Sequence, residues 1–153
     1  MDDVAGIYAR EFEYLDRYVQ VGIASGKVIS LTFPRTPEDD AETDHPLLDR
    51  IEAYLEGDDE SFDDVELALT VPTDQREVLL AVRKIPFRKQ VTVERLVRNV
   101  AGLDADDEAD HDTVRTALAN NPIPLLVPDH RVRDGPSGAP PEVEQRLRSI
   151  EEL

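Results

Sequence analysis

The sequence holds no cysteine and no tryptophan in its 153 residues. Without cysteine there can be no disulfide, no thiolate metal site and no sulfur nucleophile. Lysine is nearly missing as well, present only at Lys27, Lys84 and Lys89, so the other basic side chains are arginine. No apolar run approaches the ~18 residues that a spanning helix requires. The opening Met1-Asp2-Asp3-Val4 lacks the charge and apolar pattern of a signal peptide. A cytoplasmic protein with no membrane partner is the expectation.

Acid is what the chain has in excess. Aspartate and glutamate number 34 against 17 lysines and arginines, a net charge of -17. A lysine-poor acidic surface keeps a protein soluble where high salt screens self-repulsion. This composition points to a halophilic source, haloarchaeal on this reading. The charge is uneven. Residues 1–71 carry 5 basic and 19 acidic side chains, and residues 72–153 carry 12 and 15. Arg83, Lys84, Arg88, Lys89, Arg95 and Arg98 cluster where the second half begins. Such a cluster fits a phosphate-facing patch or an ordinary solvated helix face.

Periodicity divides the chain in the same place. Val19, Val21 and Ile23 alternate, as do Ile29, Leu31 and Phe33, with Ser25-Gly26-Lys27 as the turn of a hairpin. Further strands are expected over residues 7–12 and 65–69. A helix capped by Asp44 should present Leu47, Leu48, Ile51 and Leu55 on one face and stop at Gly57. The second half reads as helical. Val78, Leu79, Val82 and Ile85 precede the stop at Pro86, and Thr92 caps a helix ending at Gly102. An acidic turn with Asp104, Asp106, Asp107, Glu108 and Asp110 then leads into a helix from about His111, a helix-turn-helix spacing. His45, His111 and His130 share no metal-ligand spacing, so no metal is expected.

The most specific stretch is Asn121-Pro122-Ile123-Pro124-Leu125-Leu126-Val127-Pro128-Asp129-His130-Arg131. It resembles the active-site segment N-P-x-P-x-x-x-P-C-H-R of the alkylguanine-DNA alkyltransferases, the methylated-DNA–protein-cysteine methyltransferase family. Those proteins take an alkyl group from guanine onto the cysteine. Further matches are Asp74-Gln75-Arg76-Glu77-Val78, Ile85-Pro86-Phe87, Thr92-Val93, and the helix from Val143 to Glu151.

The resemblance implies an α+β fold: a small N-terminal ribonuclease-H-like sheet domain over 1–70, then a winged-helix-like, helix-turn-helix DNA-binding domain over 71–153. It implies site residues Asp129 at the nucleophile position, His130 and Glu151 as the proton-relay pair, and Asn121 bracing a turn. For DNA, the helix-turn-helix spacing and the basic cluster point to Arg115, Arg95 and Arg98, with Thr113 and Arg131 as further candidates. No cofactor is implied.

The departures share one direction. Asp129 replaces the cysteine, Val93 the family's tyrosine and Asp112 its arginine finger. Pro136-Ser137-Gly138-Ala139-Pro140-Pro141 replaces the Tyr-x-Gly-Gly loop, and Arg88 a glycine. A carboxylate is a far poorer nucleophile than a thiolate toward an alkyl carbon. The expectation is therefore a non-catalytic homologue, a pseudoenzyme. It would bind double-stranded DNA, alkylated or not, with weak or salt-dependent affinity, alongside a repair-protein partner. The alternative is a scaffold or regulatory protein that binds a protein partner and not DNA.

Overall fold

A computed structural model describes residues 6–153. The opening Met1–Val4, read above for its lack of a signal, lies outside them. Three antiparallel strands come first: β1 (Gly6–Phe12), β2 (Arg17–Ala24) and β3 (Lys27–Thr32), in the order β1-β2-β3. Tyr8 lies opposite Val21, and Val21 opposite Leu31. The β2–β3 turn places Ser25 at φ 53° and Gly26 at φ 77°. Two left-handed residues in a two-residue loop match the twist of the strands they join.

Helix α1 (Pro46–Leu55) buries Leu47, Leu48, Ile51, Tyr54 and Leu55. Its cap is His45, not Asp44: the His45 ring Nδ1 accepts from Leu47 N–H at 3.0 Å. The strand expected over residues 65–69 is also corrected. Only a single bridge forms, Val28 to Leu67, with Val28 N–H on Glu66 O and Ala68 N–H on Val28 O. The outer edge of β3 is shared, because Leu31 N–H donates instead to Pro122 O at 3.0 Å. That bond ties the sheet to the Asn121–Arg131 segment.

The second half contains α2 (Thr73–Val82), α3 (Val93–Asn99), α4 (Glu108–Ala119) and α5 (Pro141–Ile150). Val78, Leu79 and Val82 of α2 are buried with Val93, Leu96 and Val97 of α3, and with Val114, Ala117 and Leu118 of α4. Thr92 Oγ1 caps α3 by accepting from Arg95 N–H at 3.1 Å. Helix α4 begins at Glu108, one turn before His111, because Asp107 caps it through Ala109 N–H at 2.9 Å. The acidic turn is correspondingly shorter than expected, and its carboxylates serve it. Asp110 accepts from Asp104 N–H, and Asp104 from Asp106 N–H. Buried apolar side chains from both halves form one contiguous cluster, from Phe12 and Val19 to Val143 and Leu147. Among the described residues no helix is long and apolar enough to cross a membrane.

Candidate functional site around Asp129

Three prolines and one amide shape the segment that holds the site. Pro122, Pro124 and Pro128 deny the backbone a helix. Asn121 supplies bonds the backbone cannot make. Its Oδ1 accepts from Ile123 N–H at 3.0 Å, and its Nδ2 donates to Val127 O at 3.0 Å. Leu125 takes φ 81° at the tip of this turn. The chain then winds one 3-10 turn, Asp129–Arg131, which presents Asp129 and His130 inward.

Asp129 has 0% of its surface exposed. Its Oδ2 accepts from Asn121 Nδ2 at 3.0 Å and from Gly138 N–H at 2.8 Å; its Oδ1 accepts from Ser137 Oγ at 2.6 Å. Burial pushes the carboxyl above the usual range, while the donors from Ser137, Gly138 and Asn121 pull the other way. The loop over it is seated closely. A side chain at Gly138 would bring a Cβ within 2.4 Å of Asn121 O, so only glycine fits there. Both carboxylate oxygens are occupied, and no face of the group meets solvent.

His130 faces a second buried acid. Its Nε2 lies 2.7 Å from Glu151 Oε2, and Tyr54 Oη donates to that same oxygen at 2.5 Å. Glu151 Oε1 accepts from Arg88 N–H and from Arg131 Nε, each at 2.8 Å. Burial opposes the Glu151 charge, but the bonds from His130 and Arg131 outweigh it and hold the carboxyl at about 2. Burial, then the neighbouring Glu151 charge, drives the Tyr54 hydroxyl well above its ordinary value. The hub therefore joins α1, the 3-10 turn and the end of α5. His130 Nδ1 is buried without a hydrogen-bond partner among the described residues.

The structure brings Asn121, Asp129, His130 and Glu151 together as the sequence reading grouped them. Of the residues assigned to DNA, Arg95 and Arg98 lie on α3, and Thr113 and Arg115 on α4. The Arg131 guanidinium is turned inward onto Glu151 and onto Ile85 O at 2.6 Å, a counterion for the buried Glu151 charge. Arg98 pairs with Glu94 at 2.7 Å, and Arg115 lies 3.7 Å from Asp112. Thr113 Oγ1 donates back to Ala109 O in its own helix. Arg95 is exposed. Val93, at the family's tyrosine position, is 1% exposed and belongs to the core. Sequence reasoning missed Tyr54, which lies far from the motif, and Ser137 with Gly138. The Ser-Gly pair inside the exchanged loop was the one available signal for the latter two.

No protein-family model matches the chain. A methylated-DNA–protein-cysteine methyltransferase of Methanopyrus kandleri is 32% identical over 117 residues, 75% of this chain and 84% of that protein. One of Metallosphaera sedula is 27% identical over 130 residues, 82% and 79% of the two chains. Among solved structures, the O6-methylguanine methyltransferase of Mycobacterium tuberculosis superposes with TM-score 0.74 at 20% identity, covering 97% of this chain and 92% of that one. Mycobacterium tuberculosis OGT in complex with DNA gives 0.72 at 22%, covering 97% and 91%. The O6-methylguanine-DNA methyltransferase of Pyrococcus kodakaraensis gives 0.70 at 18%, covering 96% and 99%. The likeness to the Methanopyrus protein runs over most of both chains, and the shared fold runs the length of this one. The chain belongs to the methylated-DNA–protein-cysteine methyltransferase family, as a member without cysteine.

Proposed function

We propose that this protein binds DNA, alkylated or not, and transfers no alkyl group. One observation carries the second part: Asp129 stands where the family has its cysteine, sealed from solvent with both oxygens hydrogen-bonded. An alkyl carbon cannot approach a carboxylate that is covered on every side and held by three hydrogen bonds. Asn121, His130 and Glu151 then act as bracing, holding the turn and joining α1 to α5. The reading keeps the division into a ribonuclease-H-like part over 1–70 and a winged-helix-like part over 71–153. It also keeps a halophilic, cytoplasmic setting. DNA binding is supported by the family, by the DNA complex of the Mycobacterium protein and by the arginines of the second half.

A second reading, a scaffold that binds a protein partner and not DNA, is favoured by the neutralisation of Arg98 and Arg115 by neighbouring acids. Two measurements decide. Incubation with DNA carrying methylated guanine, followed by intact mass, should show no added methyl group. Titration of duplex DNA across salt should show binding that weakens as salt rises. A stoichiometric methyl adduct that disappears in Asp129→Ala would sink the second part. Negligible affinity at every salt would leave the scaffold.

A further inference from the structure

The arginines are not alike in their surroundings. Eight of them lie within ion-pair distance of a carboxylate, including Arg98, Arg115 and Arg131. Arg95, Arg133 and Arg148 have no such partner among the described residues, and these three converge. Val91 N–H donates to Arg131 O, and Arg133 N–H to Val91 O at 2.8 Å, so residues 90–92 and 131–133 run side by side. A groove of about 310 Å³ opens beside this pair, bordered by Gln90, Val91, Thr92, Arg95 and Arg133. Arg148 Nη2 reaches Gln90 Oε1 at its rim, 3.3 Å away. No carboxylate borders it. The nearby Asp134 is committed to α3, its Oδ1 accepting from Val93 N–H at 2.7 Å.

A carboxylate-free concavity with two exposed guanidinium groups stands out on a chain of net charge -17. Guanidinium forks suit the paired oxygens of a phosphodiester, and two arginines with a backbone edge between them fix its position and not merely its charge. We propose that this groove seats a backbone phosphate of DNA, held by Arg95 and Arg133, with Arg148 and Gln90 at its edge. The proposal rests on the DNA-binding reading and moves its main phosphate contact away from α4. Arg133 was not among the residues that the family motif pointed to. The contact is independent of base identity, so it positions DNA without choosing a sequence or a lesion.

Fluorescence anisotropy of labelled duplex DNA, with and without methylated guanine, is measured over a range of salt for the full chain. Arg133→Gln and Arg95→Gln should each weaken binding by the same factor on both duplexes and reduce the log K against log salt slope by about one. The double variant should lose about two. Arg115→Gln, already partnered by Asp112, should change the slope less. Melting temperatures should match the parent, since both targets are exposed. If the parent binds DNA while Arg133→Gln and Arg95→Gln keep its affinity and slope, the groove assignment is wrong and the DNA reading survives. If the parent binds no duplex at any salt, the DNA reading fails and takes the groove with it. Saturable binding of inorganic phosphate alone, in calorimetry, without affinity for duplex would overturn the assignment to DNA.

Discussion

Asp129 and Glu151 are buried carboxyl groups with opposite titration behaviour, and single substitutions expose the difference. At Asp129, alanine would strand the buried Asn121 amide and leave the Gly138 N–H without its acceptor. An unmet buried donor costs about 1–3 kcal/mol and the part-buried N–H adds about 1, so Asp129→Ala should lose about 2–4 kcal/mol in urea unfolding. Asparagine keeps an oxygen for those two donors and turns its NH₂ toward Ser137 Oγ. Asp129→Asn should therefore stay within about 1 kcal/mol of the parent, and equal loss in both variants would contradict the network.

Glu151 works the other way. Its folded value of about 2 lies below the unfolded ~4.3, so its stabilisation is complete above the unfolded value and disappears as pH falls toward 2. That stabilisation is on the order of a few kcal/mol at neutral pH. Asp129, raised in the fold, contributes the reverse sign: stability falls as pH rises from the unfolded value through the folded one. Glu151→Gln should lower neutral-pH stability and flatten the acid limb below pH 4.5. An unchanged acid limb would remove the assigned role.

At the level of elements, the turn before α4 carries both a structural and an electrostatic burden. Asp107 caps the helix, and Asp107→Ala should cost about 1 kcal/mol. Asparagine caps as well as aspartate and carries no charge. The pair Asp106→Asn with Asp107→Asn should therefore keep the melting temperature and strengthen DNA binding, by removing repulsion near the phosphates. Unaltered affinity in a chain that otherwise binds DNA would show that this turn lies away from the duplex. The β3 edge is equally divided. Its bonds to residues 66–68 and to Pro122 fasten the linker and the site segment to one strand, which explains why residues 65–69 form a bridge and not a longer strand.

For the whole molecule, charge dominates the expected response to conditions. The 34 acidic side chains against 17 basic ones repel one another over a Debye length of about 10 Å in ~0.1 M salt and about 3 Å in ~1 M. The melting temperature should rise across that range. A flat or falling trend in a calorimetric series would show that the acids are already balanced locally, as Arg50 balances Glu60 and Asp64.

By itself the sequence determined the hairpin, the apolar face of α1, the caps at Gly57 and Thr92, and the grouping of Asn121, Asp129, His130 and Glu151. The first three follow from short-range rules: alternation, helical spacing, and a glycine or threonine where the backbone needs one; the grouping follows from the resemblance of the proline-rich segment and the last helix to the family's. It also determined the absence of a sulfur nucleophile. Only the tertiary structure decided what these groups became. Tyr54 reached Glu151 from 97 residues away, Ser137 and Gly138 closed over Asp129, and Arg131 turned inward to a buried charge. Arg95 and Arg133 met across a backbone pairing between distant segments. No periodicity encodes such contacts, because burial and charge pairing depend on which surfaces the folded chain brings together.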